Sequence, residues 1–297
     1  MARASRRPDT PGSKQLWPAS VRLAPATGKR ESELSDDHEA APRKGRSPAR
    51  RFLRNLGRWT SIGYFSAMKR RIWVLEQALD TLLASPSFVP GAETGFNGQA
   101  GRKHIFETLA QELGFEAIVE TGTFVGNTAG WMHHVAHLPV VSSEINPRFH
   151  LLAKKRLEAF PAIRLELGNS LDFLARLAAS PLKDRFVFFY LDAHWYKDLP
   201  LAEELAIIRQ AWRRFVIMVD DFEAPGDPGY SFDDYGFGRA LSVATFAPHF
   251  ERLGLLAHYP ALPGARETGA RSGCVVLAAE NSPEAAVLAR LDCLRRA

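Results

Sequence analysis

The stretch Ala117-Ile118-Val119-Glu120-Thr121-Gly122-Thr123-Phe124-Val125-Gly126-Asn127-Thr128 decides the fold. Positions 117–120 form a short apolar run ending in an acid, which predicts a buried strand. Gly122 and Gly126 turn the chain, and a helix is expected from about Asn127. Strand, glycine turn and helix make the opening unit of a parallel sheet. The glycines let the backbone approach a ligand, and the helix directs its positive N-terminus at the same place. The spacing is G-x-x-x-G with an acid two residues ahead. That is neither the G-x-G-x-x-G of dinucleotide sites nor a lysine-bearing phosphate loop. A carboxylate beside the turn suits a ligand carrying an ammonium group better than a pyrophosphate.

Outward from this unit the periods alternate. A helix is expected over 104–113, ahead of the strand. Further strands are expected over 139–143, 163–167, 185–191 and 215–219, with helices near 151–160, 171–178 and 199–211. Continuous apolar strands between amphipathic helices imply a parallel sheet covered on both faces. A helix at about 237–247 and strands near 253–259 and 273–279 follow. The last two strands lie too close for a long helical crossover, so the last is expected to run antiparallel. Ser282, Pro283 and Glu284 announce a final helix as cap, first-turn proline and dipole partner. The fold class is therefore α/β: a doubly wound, mostly parallel seven-stranded sheet, Rossmann-like, its last strand antiparallel, preceded by an N-terminal helical extension.

The chain has 297 residues, 46% of them hydrophobic and 24% charged, which excludes global disorder and fibrous architectures. No apolar run approaches the roughly 18 residues of a membrane-spanning helix. Two cysteines are too few for a disulfide framework or a cysteine zinc site, and they fit a reducing, cytoplasmic compartment. Residues 1–60 carry 14 Lys+Arg against 6 Asp+Glu, and residues 61–297 carry 24 against 27. The basic charge thus belongs to the tail, and a mildly acidic body argues against a nucleic-acid-binding face.

Three segments follow. Residues 1–48, rich in Pro, Ser, Arg and Ala without apolar periodicity, read as a disordered basic tail. Residues 49–100 read as a helical extension and linker. There Phe65, Met68, Ile72, Leu75, Leu79 and Leu82 recur at steps of 3, 4, 3, 4 and 3, one apolar seam on a helix. That seam either docks on the protein's own body or makes a homodimer contact over 50–84. Residues 101–297 form the ligand-binding domain.

In such sheets the ligand sits beyond the carboxyl ends of the strands, near the switch point in strand order. The first strand brings Glu120, Gly122, Thr123 and Gly126 there. The second ends at Glu144, 22 residues after Gly122, where an acid is placed to bind both hydroxyls of a ribose. The third ends at Asn169 and Ser170, whose polar groups would meet an adenine edge, unless Ser170 simply caps the next helix. The fourth ends Tyr190-Leu191-Asp192-Ala193-His194-Trp195-Tyr196-Lys197 and the fifth ends Asp220-Asp221. Three carboxylates at neighbouring strand tips repel one another, and a hard divalent cation such as Mg²⁺ resolves the conflict. Asp192, Asp220 and Asp221 are the expected metal ligands, unless Asp192 and Asp220 are helix caps or solvated loop acids. The Pro/Gly loop over 225–236, loaded with aromatics, is expected to wall the substrate. Phe96-Asn97-Gly98-Gln99 and Arg102 fit either a cover over the cofactor or a plain helix start.

These motifs resemble a known family. Glu120 to Gly126, Glu144 and Gly168-Asn169-Ser170 are similar to the cofactor signatures of class I S-adenosylmethionine-dependent methyltransferases. The run from Tyr190 to Lys197, with Asp220-Asp221 and a Pro-Gly loop, resembles the metal-dependent, catechol-type O-methyltransferases. The likeness covers roughly residues 103–280. It implies seven strands with the last antiparallel, Glu120 and Gly122 at the methionine end of S-adenosyl-L-methionine, and Glu144 at its ribose. It also implies Mg²⁺ on Asp192, Asp220 and Asp221, with Asp192 counted among the cofactor contacts as well. The chain departs from that pattern where Ala193 separates Asp192 from His194 and where Asp221 stands in place of an Asn. The catalytic base is then His194 or Lys197. The implied reaction is O-methylation of a small hydroxylated acceptor, phenol or sugar-like. A nicotinamide-dependent reductase, a hydroxylase-like enzyme and a non-catalytic module are the competing readings.

Overall fold

The computed structural model describes residues 95–194, 199–236 and 238–297, with scattered positions between 72 and 88. The tail over 1–48 and most of the extension over 49–100 lie outside the described residues. The described positions from 72 to 83 are helical. Of the seam read there, Ile72, Leu75 and Leu79 face solvent, and Ala78 is buried.

The body alternates as its apolar pattern requires. Helix α1 (Ala100–Glu112) precedes β1 (Ala117–Thr121), and α2 (Asn127–Ala136) leads to β2 (Val140–Glu144). Helix α3 (Pro147–Arg156), β3 (Ile163–Leu167), α4 (Ser170–Ala178), β4 (Val187–Leu191), α5 (Leu201–Ala211) and β5 (Phe215–Val219) follow. The chain ends with α6 (Val243–Leu253), β6 (Leu255–Pro260), β7 (Val275–Ala279), α7 (Pro283–Leu288) and β8 (Leu294–Arg295). The strands form one eight-stranded sheet in the order β3-β2-β1-β4-β5-β7-β6-β8. The first five are mutually parallel, and β7 runs antiparallel to both β5 and β6. This is the doubly wound sheet expected, with its reversed seventh strand. Strands β4 and β5 lie at its centre, apolar and buried at every position, because helices cover both faces.

Two boundaries differ from the expectation. An eighth strand pairs Leu294 with Pro260 and Arg295 with Tyr259, and two residues are too short to leave a periodic signal. Helix α6 begins at Val243 rather than near 237. Gly236 and Gly238 hold left-handed φ values of 73° and 77°, which interrupt a helix there. Ser242 then caps α6, accepting a hydrogen bond from the Thr245 amide at 3.3 Å. The final helix starts as read, with the Ser282 hydroxyl accepting from the Ala285 amide at 3.0 Å and Pro283 in its first turn.

An aromatic core joins α1 and α2 to the sheet. Phe96 meets Tyr190 edge-on at 5.0 Å and Phe106 meets Phe188 at 5.1 Å. Burying each such side chain contributes roughly 1.5–3 kcal/mol. Phe96 and Gln99 are therefore core residues rather than a cover over the cofactor. The Gln99 side chain is held by two hydrogen bonds to Ser272, at 2.7 and 2.9 Å. Among the described residues no helix is long and apolar enough to cross a membrane.

Candidate functional site

The order β3-β2-β1-β4-β5 reverses direction between β1 and β4, so the ligand crevice belongs at their carboxyl ends. Register aligns those ends. Glu120 lies beside Ser142 on β2 and Tyr190 on β4, and Leu191 lies beside Val219 on β5.

The glycine turn closes over the tips of β1 and β2. The amides of Gly122 and Thr123 both donate to the Ser143 carbonyl, at 2.9 and 3.0 Å. Gly122 takes φ +88°, and a Cβ there would stand 2.2 Å from the Asp192 carbonyl oxygen. Only glycine fits between the first turn and the fourth strand tip. Glu144 sits against this turn. Its Oε2 accepts the Phe124 amide at 2.7 Å, and its Oε1 accepts the Asn146 amide at 2.8 Å. A carboxylate offers about four lone-pair sites, so acceptor capacity remains for a ligand hydroxyl. Burial raises the Glu144 pKa, and the amides of Asn146, Phe124 and Ile145 oppose the rise. Glu120 is buried behind the turn, where its Oε2 accepts from the Ser142 hydroxyl, which also meets Thr123 Oγ1. Burial pushes the Glu120 pKa up to about 8, against the pull of Ser142.

Beyond β2, Ile145 exposes 66% of its surface immediately after Glu144. Leu167, paired with Glu144 across the sheet, is exposed as well. These aliphatic groups at the rim were not picked out from the sequence. An aliphatic residue just past a strand tip was the available signal. Asn169, not Ser170, caps α4: its Oδ1 accepts the Asp172 amide at 2.8 Å, and its Nδ2 donates to Asp172 Oδ2 at 2.6 Å. Ser170 is buried and turns toward Glu204 on α5. Burial pushes Glu204 up to about 7, and its Oε1 has no hydrogen-bond partner.

At the tips of β4 and β5 the structure gathers Asp192, His194 and Asp221, each offering one ligand atom within 4.8 Å of the others. His194 Nε2 lies 3.9 Å from Asp192 Oδ1. That nitrogen is buried without a hydrogen-bond partner. Burial lowers the His194 pKa to about 4, so the ring is neutral and its lone pair is available. Enclosure, with the charges of Asp221 and Glu120 nearby, pushes Asp192 well above the carboxylate range. An orphaned imidazole nitrogen between two crowded carboxylates fits a divalent cation.

Asp220 does not join them. It is fully buried, with Oδ1 against Arg102 Nη1 and the Asp221 amide, and Oδ2 accepting from the Tyr190 hydroxyl. The expected trio of aspartates thus becomes two aspartates and a histidine, because a buried carboxylate must find donors. Arg102 likewise faces this ion pair rather than a cofactor. Lys197 lies outside the described residues, as do its neighbours 195, 196 and 198.

The loop over 225–236 packs back onto the cluster. Asp227 ties it down, accepting the Gly229 amide at 2.9 Å and the Gly264 amide at 2.7 Å. The Asp233 amide donates to the Asp221 carbonyl at 2.9 Å, and the Tyr235 hydroxyl donates to the His194 carbonyl at 3.3 Å. Phe232 stays partly exposed.

No family model matches the chain, and neither does any curated protein. Among solved structures the chain is similar to an O-methyltransferase of Bacillus cereus in complex with SAH, at 17% identity over 70% of this chain and 90% of that one, with a TM-score of 0.48. A putative O-methyltransferase of Klebsiella pneumoniae aligns at 18% identity over 70% and 90%, with a TM-score of 0.47. The O-methyltransferase TomG of Streptomyces achromogenes, in complex with SAM, aligns at 22% identity over 61% and 81%, with a TM-score of 0.44.

Proposed function

We propose that this chain is an S-adenosyl-L-methionine-dependent methyltransferase that acts on a hydroxyl oxygen of a small acceptor with the help of a divalent cation. One observation carries the reading. The glycine turn and Glu144 meet, Phe124 amide to Glu144 Oε2 at 2.7 Å, at the same carboxyl end of the sheet where Asp192, His194 and Asp221 gather. A nucleoside held by the first group would present its other end toward the second.

Gly122 leaves room for the methionine end, Glu144 takes ribose hydroxyls, and Ile145 supplies an apolar surface for the base. The cofactor, when bound, supplies an electrophilic methyl group. Asp192, His194 and Asp221 would hold Mg²⁺ or Mn²⁺, and a cation so held lowers the pKa of an acceptor hydroxyl. Imidazole among the donors suits Mn²⁺ somewhat better than Mg²⁺. A neutral His194 of low basicity suits ligation more than proton abstraction. That leaves Lys197 as the group to take the acceptor's proton. The 225–236 loop would wall the acceptor, with Phe232 as its exposed aromatic. Alignment of two reactants contributes roughly 7–11 kcal/mol to such a transfer.

The test is calorimetry with S-adenosylmethionine, S-adenosylhomocysteine and NAD. Binding of both sulfur nucleosides and not of NAD is expected, and binding of NAD alone overturns the proposal. Transfer of labelled methyl to a panel of phenols and sugars, with and without chelator, then tests the oxygen acceptor and the cation.

A further inference from the structure

A buried ion pair lies beneath the cluster. The side chains of Arg102 and Asp220 are 1% and 0% exposed, and 118 residues separate them in sequence. Arg102 also donates through Nη2 to the carbonyls of Ser272 and Gly273, the latter at 2.9 Å. Taking two charges out of water is costly, and apolar replacements of such pairs are often neutral or stabilising. Stability alone is therefore a weak reason for this pair.

Its local effect is specific. Asp220 Oδ1 accepts the amide of Asp221 at 2.6 Å. Asp221 holds φ +49°, a left-handed conformation unfavourable for a residue with a side chain. An acid locked by Arg102 on one side and by Tyr190 on the other thus fixes the backbone of the next residue. That next residue is the one whose carboxylate reaches Asp192 and His194. Arg102 also balances the charge of Asp220, leaving two carboxylates in the cluster to match a divalent ion.

We propose that Arg102 is a positioning residue of the cation site: it keeps the Asp220 carboxylate out of the ligand set and, through it, holds Asp221 turned toward Asp192 and His194. The inference rests on the reading of that cluster as a divalent-cation site.

The experiment titrates Mn²⁺ into the full chain and follows the free ion by electron paramagnetic resonance. Wild type is compared with Arg102→Lys, Tyr190→Phe, Asp192→Asn and a core control, Ile105→Val, with melting curves for each. Tyr190→Phe deletes one hydroxyl and keeps the test open if Arg102→Lys fails to fold. Groups that orient metal ligands from behind are worth about 10–100-fold in affinity. Arg102→Lys and Tyr190→Phe are expected to lose about that much at temperatures where both are folded. Ile105→Val is expected to melt lower and bind Mn²⁺ as wild type does. Wild-type affinity in both Arg102→Lys and Tyr190→Phe overturns the positioning role while leaving the cation site intact. No Mn²⁺ binding by wild type, or binding untouched by Asp192→Asn, removes the cation site and this inference with it. Binding of S-adenosylhomocysteine to the same samples reports separately on the cofactor half.

Discussion

Phe124, held at φ +50°, gives its backbone amide to Glu144. Two residues from successive strand–helix turns are thereby locked together, so the glycine turn and the acid proposed to take ribose hydroxyls form one unit. Glu144→Ala leaves the amides of Phe124, Asn146 and Ile145 without their acceptor. It is expected to weaken S-adenosylhomocysteine binding at least about tenfold and to cost about 1–3 kcal/mol of stability. Calorimetry and urea unfolding measure the two effects. Glu144→Gln, which retains one carbonyl acceptor, is expected to lose less stability than Glu144→Ala.

Gly122→Ala places a methyl carbon 2.2 Å from the Asp192 carbonyl oxygen, far inside van der Waals contact, on a backbone that disfavours a side chain. A loss of about 1–3 kcal/mol is expected from the conformation alone. The displaced fourth strand tip is expected to lower both cofactor and Mn²⁺ affinity. A variant with unchanged unfolding and both affinities intact would contradict the close approach.

Adjacent aspartates are expected to behave differently. Asp221→Asn should abolish cation-dependent turnover while leaving the melting temperature and cofactor affinity near wild type. Asp220→Asn should destabilise by roughly 3–5 kcal/mol, because Arg102 is left buried beside a neutral group. Thermal melting with a parallel methyl-transfer assay separates the two. Equal melting temperatures for both variants would reject this division of labour.

The Glu204 contribution to stability is expected to fall as pH rises toward neutrality, while the neutral, buried His194 contributes with the opposite sign over about 4 to 6.5. Burial pushes Glu204 from 4.5 up to about 7, so the folded state keeps a proton that the unfolded chain releases. Its contribution is complete below pH about 4.5, declines as pH rises to about 7, and is level above that. Glu204→Gln should flatten this decline and melt higher than wild type at pH 8. Glu120 acts with the same sign up to about 8 and His194 with the opposite sign, so the difference between wild type and variant isolates the Glu204 contribution. Circular dichroism melts from pH 5 to 8 give both slopes.

Local signals were legible in the sequence and distant pairings were not. The run from Ala117 to Asn127 announced its strand, turn and helix because apolar period and glycines act within a few residues. Ser282 and Pro283 announced the last helix for the same reason. Glu144 was found by its distance from the turn. Nothing local distinguishes Asp220 from Asp221. The difference is made by Arg102, which the fold brings from 118 residues away. Phe96 and Gln99 read as a cover over the cofactor or a plain helix start because their partners, Tyr190 and Ser272, are equally remote. His194 was read as a base, and only its burial beside two carboxylates shows it as a candidate ligand.

The insertion of β7 between β5 and β6 bears on how the chain is made. A ribosome releases Phe215–Val219 some sixty residues before Val275–Ala279, the strand that covers its open side. Until then the nascent protein carries a bare edge of five consecutive apolar residues, ready to recruit any extended neighbour. Premature termination anywhere between these two segments would therefore produce a sticky product prone to inclusion bodies, rather than a smaller soluble domain.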